Sequence, residues 1–133
     1  MNFLSKIKSL NKKSVIFDDK NNILDIKKLN YFSQNINEKL KNNNGLVLVF
    51  CENTIEFLIG YYSFLNSALT QMLLSSQITD EDLTKILNIY KPSYLYINEE
   101  KFMLKKKFFS QFKIIHKIKK NLILINKKKI IIK

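Results

Sequence analysis

The chain has 133 residues and a mass of 15.8 kDa, the length of one domain. With 46% hydrophobic and 26% charged residues it is not a disordered chain, and one cysteine, Cys51, excludes an internal disulfide framework. One histidine, His116, leaves little for a structural zinc site, and two glycines, Gly45 and Gly60, exclude a glycine-rich phosphate loop.

The first predicted elements are two short strands within residues 14–26. Val15, Ile16 and Phe17 are apolar, residues 18–22 supply turn chemistry, and Ile23-Leu24 resumes the apolar run. Asp25 then caps a helix whose apolar stripe is Leu29, Phe32, Ile36 and Leu40, at intervals of three, four and four. Asn42-Asn43-Asn44-Gly45 stops it. Residues 46–50, LVLVF, are continuously apolar, as in a strand covered on both faces of a parallel sheet. Asn53 and Glu56 form a capping-box pair at the start of a helix that runs to about Ser67 and is apolar nearly all round. Residues 69–74 read as a strand interrupted by Gln71. Thr79 caps a helix from Asp80 to Tyr90, with three acids in the first turn where the helix dipole favours them. Lys91-Pro92 ends it, and Tyr94–Ile97 is the next strand.

This alternation predicts an α/β domain with a mainly parallel sheet and flanking helices, over residues 1–133, with its core at 14–97. The remainder, 98–133, is a lysine-rich segment with a helix over 102–112 and apolar runs at Ile114-Ile115, Leu122–Ile125 and Ile130–Ile132. The net charge of +12 has its source there. Residues 1–100 hold 11 lysines and 11 acids, whereas residues 101–133 hold 12 lysines and no acid; arginine is absent throughout. The start, MNFLSKIKSL, carries no targeting pattern, and no run approaches the about 18 apolar residues of a membrane span. The expected location is cytoplasmic.

From about Ser14 to Ile97 the chain resembles the N-terminal sub-domain of AMP-forming adenylate ligases, the superfamily of acyl-CoA synthetases, nonribosomal adenylation domains and luciferases. Three blocks carry the resemblance in order and without a gap. SVIFDDKNNILDIKKL echoes the family's opening A-L-I-D-G-D-x-x-x-T-Y-x-E-L, with Asp25 near the threonine cap. GLVLVFCENTIEFLIGYYSFLNSA shares Asn53, Glu56, Phe57, Tyr61 and Leu65 in spacing with the second block. LLSSQITDEDLTKIL follows the third through Leu74, Glu81, Leu83, Ile86 and Leu87. The family's proline after the buried strand is Leu73 here, its Asn-Pro is Ser75-Ser76, and its Lys-Ala-Gly is Asn66-Ser67-Ala68. The resemblance implies a complete enzyme that uses ATP and Mg to make an acyl-adenylate and then a thioester. This chain lacks the S-G-T-T-G-x-P-K-G loop and the domain with the catalytic lysine. The expectation is therefore a fragment or split piece, inactive alone and binding no cofactor by itself. Its partners would be the rest of the ligase and an acyl or peptidyl carrier protein.

No residue is assigned a catalytic, cofactor-binding or metal-binding role. Cys51 reads as a small buried hydrophobe, the sharper alternative being a nucleophile served by His116. Asp18-Asp19 and Asp80-Glu81-Asp82 read as a turn and a helix start, the alternative being a metal site. Tyr61, Tyr62, Tyr94 and Tyr96 read as packing residues, the alternative being a stacking surface. Lysines 105–107, 117, 119, 120 and 127–129 read as solvated faces. The alternative is a non-enzymatic binding module whose basic end docks an anionic partner such as a carrier protein, nucleic acid or a membrane surface. Specific nucleic-acid recognition is not expected without arginine or interleaved aromatics.

Overall fold

The computed structural model describes residues 15–18, 20–40 and 44–129. The chain opens with a hairpin of β1 (Val15–Phe17) and β2 (Ile23–Asp25), paired antiparallel with Ile16 opposite Leu24. The Asp18 carboxylate closes its turn by accepting from the Lys20 and Asn22 amides, each at 2.9 Å, while Asn21 takes the left-handed conformation at φ 62°. Asp25 then caps α1 (Ile26–Lys39), its Oδ1 accepting from the Lys28 amide at 2.7 Å. Leu29, Ile36 and Leu40 are buried as the stripe requires, and Phe32 is half-buried against the same core. Of the predicted stop at 42–45, residues 42 and 43 lie outside the described residues; the helix ends with Leu40 as its C-cap.

The main body is a five-stranded sheet in the order β4-β3-β5-β7-β6. Strands β3 (Gly45–Cys51), β4 (Leu69–Ser75) and β5 (Tyr94–Asn98) run parallel, with α2 (Ile55–Leu65) and α3 (Asp80–Tyr90) as crossovers. The α/β architecture with flanking helices holds. Its parallel character is confined to these three strands. The lysine-rich end adds a hairpin of β6 (Phe112–Ile118) and β7 (Asn121–Asn126), with β7 antiparallel to β5, so the sheet is mixed. A strand with only two residues between it and its predecessor cannot return parallel, since that needs a crossover.

Alternation divides the sheet into two apolar layers. Val47, Val49, Tyr94, Tyr96, Ile123 and Ile125 face α1 and α2. Leu48, Phe50, Leu95, Ile97, Leu122 and Leu124 face Leu83 of α3 and the aromatic residues Phe102 and Phe109. Burial on both faces explains why β3, β5 and β7 read as unbroken apolar runs.

Three local expectations are corrected. The N-cap of α2 is Thr54 rather than Asn53: the Thr54 hydroxyl accepts from the Phe57 amide at 3.1 Å, and Asn53 is exposed. That helix ends at Leu65, with Asn66 as C-cap. The helix expected over 102–112 is instead α4 (Glu99–Leu104), a short 3₁₀ turn (Lys106–Phe109) and the start of β6. Asn98 starts α4 early by accepting from the Glu100 amide, with two acids in its first turn. Stacking of Phe102 on Phe109, centroids 6.0 Å apart, anchors both sides of the break against the sheet. The run Ile130–Ile132 lies outside the described residues.

Candidate functional site

In parallel α/β sheets, ligands collect beyond the carboxyl ends of the strands. Here that edge is formed by Cys51 and Glu52 at the end of β3, Ser75 and Ser76 at the end of β4, and Asn98 and Glu99 at the end of β5. Several polar groups there have a local duty. The Ser75 hydroxyl accepts from the Gln77 amide, Asn98 caps α4, and the Lys101 ammonium donates to the Ser76 carbonyl. Partial burial lowers the Lys101 pKa, opposed by the nearby Glu52 carboxylate.

Cys51 is half-buried, and desolvation pushes its thiol pKa up, the reverse of what activates a nucleophile. His116 is not its partner. The ladder sets His116 beside Ile123, Ile123 beside Tyr96 and Tyr96 beside Val49, so three strand spacings, about 14 Å, separate the histidine from β3. Its pKa is lowered by burial and by the Lys39 charge from α1. The cysteine–histidine pair therefore does not form.

The carboxylates are similarly engaged. Asp18 holds its turn, and hydrogen bonds from Asn22 help keep its pKa below the usual value; Asp19 lies outside the described residues. Asp80 meets Lys105 at 2.6 Å, which lowers its pKa, and Glu81 meets Lys85 at 3.3 Å. Among the described residues no group of three or more His, Cys, Asp and Glu could hold a metal ion.

Tyr62, Tyr94 and Tyr96 belong to the core, and Tyr61 is half-buried. Tyr62 donates to Asn30 Oδ1 at 2.8 Å, linking α2 to α1. Tyr96 donates to the Glu56 carbonyl and meets Phe64 edge-on at 5.4 Å; burial pushes its phenol pKa far up. Tyr94 is buried in the same layer, and Tyr61 stacks on Phe57 at 5.9 Å. The Tyr96 ring also explains Gly60. A Cβ there would overlap the Tyr96 ring, so glycine serves the approach of α2 to β5. Gly45, at φ 134°, is pressed against Ser93. With both glycines committed to packing and no carboxylate cluster, the described residues do not fit an ATP–Mg site.

Among the described residues, lysines of the C-terminal segment lie at both ends of β7. Lys117 pairs with Glu99 at 2.8 Å, and Lys119 and Lys120 form the β6–β7 turn beside the carboxyl end of β5. Lys127 and Lys128 lie at the opposite end of β7, where the Lys127 amine donates to the Ser110 carbonyl. The Lys107 amine stands 5.2 Å over the Phe108 ring.

A groove of about 540 Å³ lies at the amino edge of the sheet, between the end of α3 and the start of β6. Leu87, Pro92, Phe108 and Phe112 form its apolar wall, and Lys91 and Lys128 stand at it. Among the described residues no Asp, Glu, His or Cys lines it, and its form is that of a binding groove. The groove was not legible in the sequence, because residues far apart in the chain line it. Among the described residues no helix is long and apolar enough to cross a membrane. No family model matches this chain, and no curated protein matches it in sequence.

Proposed function

We propose that the chain is a scaffold sub-domain of an AMP-forming, carboxylate-activating ligase, contributing packing surface rather than reacting groups. The observation that carries this reading is the coincidence of sequence blocks with structural units. The first block spans the β1–β2 hairpin and the start of α1, the second β3 and α2, and the third the end of β4 and most of α3. The shared positions do structural work: Glu56 offers its carbonyl to Tyr96, and Leu83 is fully buried under the sheet.

On this reading the ATP loop, the magnesium ligands and the adenylating lysine come from a second polypeptide or a further segment. The complete assembly condenses a carboxylic acid with ATP, releasing pyrophosphate, and passes the acyl group from the adenylate to a thiol with release of AMP. The remainder of the ligase is the partner, a carrier-protein thiol is the candidate acceptor, and the cytoplasm is the compartment. Pyrophosphate exchange tests it. The purified 133 residues should stay at background with any carboxylic acid, and exchange should appear when a polypeptide bearing the S-G-T-T-G-x-P-K-G loop from the same genome is added in equal amount. Exchange by the chain alone, or none with any such polypeptide, refutes the proposal.

A further inference from the structure

The two edges of the sheet differ in how they are protected. An edge strand exposes unpaired N–H and C=O groups, and natural edges are blunted by charge, proline, bulges or shortness. Strand β6, at one edge, carries Lys113 and Lys117 and a bulge between Ile114 and His116. Strand β4, at the other, has none of these. Its seven residues, LTQMLLS, carry no charge and no proline and run in unbroken register with β3. Among the described residues nothing pairs with its outer side.

The surface beside that edge includes exposed leucines. Tyr61, Phe64 and Leu65 of α2 and Leu69, Gln71 and Leu73 of β4 line a groove of about 310 Å³. Leu73 is 48% exposed and Leu65 37%. The electrostatics of this part of the chain also differ from the rest. Residues 42–84, which include β3, α2 and β4, hold five acidic residues and no lysine, in a chain of net charge +12. Lys101 approaches only past the end of β4, where it is held on the Ser76 carbonyl.

We propose that the β4 edge is a self-association surface, on which the β4 of a second copy pairs antiparallel about a two-fold axis. A strand related to itself by a two-fold axis can pair only antiparallel, which also makes the contact closed rather than fibre-forming. Two molecules of net charge +12 repel, and because α2 and β4 carry no lysine of their own, identical patches built from them meet without adding cation to cation. With the axis through Met72, Leu73 of each copy stands opposite Gln71 of the other, and the two apolar grooves close over one continuous sheet.

Sedimentation equilibrium under reducing conditions tests this. The expected result is a dimer of the 15.8 kDa chain forming in the micromolar range. Leu73→Lys should raise the dissociation constant at least about tenfold while leaving the far-UV circular dichroism unchanged. Should that variant unfold, Leu65→Lys, at the exposed end of α2, reads the same contact. Lys113→Ala, on the opposite edge, should leave association as it was. Added salt should leave the dimer as strong or strengthen it, because it screens the repulsion of the lysines. A monomer throughout the micromolar range overturns the proposal. So does a dimer indifferent to Leu73→Lys and Leu65→Lys, or one that salt dissolves.

Discussion

Gly60 shows how a single position can be dictated by a residue far along the chain. On a helix, alanine is favoured over glycine by about 1 kcal/mol, yet the methyl group would enter the ring of Tyr96. Tyr96 has little room to retreat, being fully buried, bonded to the Glu56 carbonyl and edge-on to Phe64. Gly60→Ala is therefore expected to destabilise the fold by about 1–3 kcal/mol net, read as a lower urea midpoint. An unchanged or raised midpoint would mean that α2 does not lie this close to β5. Nothing around Gly60 in the sequence marks it as a contact site, because the ring that needs the space lies 36 residues on.

At the level of elements, caps and stripes were largely legible because they are local. Asp25 and Thr79 cap as their spacing implies, and the apolar stripe of α1 turns inward, whereas in α3 Leu83 is buried, Ile86 and Leu87 are half-buried, and Tyr90 is exposed. The start of α2 was misplaced by one residue, since Asn53 and Thr54 are both good caps and each is followed at a suitable distance by helix formers. The hydroxyl geometry assigns the role to Thr54. Thr54→Ala should cost about 1 kcal/mol in chemical denaturation, whereas Asn53→Ala should cost less than about 0.5 kcal/mol. A larger loss for Asn53→Ala than for Thr54→Ala would return the cap to Asn53. The helix expected over 102–112 failed for a different reason. Phe102, Phe108, Phe109 and Phe112 fit a helical stripe, but Phe102, Phe109 and Phe112 pack together against the sheet, and Phe112 begins a strand.

Across the whole molecule, the lysine-rich end is part of the sheet rather than an appendage. All six residues of β7 are buried, and the strand covers the side of β5 that β3 leaves open. Removing residues 111–133 would uncover the β5 edge together with Tyr94, Leu95, Tyr96 and Ile97. The shortened chain is expected to aggregate or lose its cooperative thermal transition, followed by circular dichroism and light scattering. A cooperative transition at the full-length temperature would show that the hairpin is dispensable. The same integration scatters the basic residues, sending Lys119 and Lys120 to one end of the sheet and Lys127 and Lys128 to the other. Lysines that are neighbours along the chain are thus divided between the two ends of β7.

The amino-acid order alone determined what depends on near neighbours: the turn at Asp18, the helix caps, the amphipathic stripes and the apolar runs that become two-sided strands. These follow from backbone hydrogen bonding and from periods of 3.6 and 2.0 residues, which act over a few positions. Only the tertiary structure decided the insertion of β7 between β5 and β6, the distance between Cys51 and His116, the fit of Gly60 to Tyr96 and the unequal guarding of the two edges. Each of these depends on which distant segments lie side by side. Periodicity shows that a face is apolar, but the partner it meets is set by the packing of the whole chain.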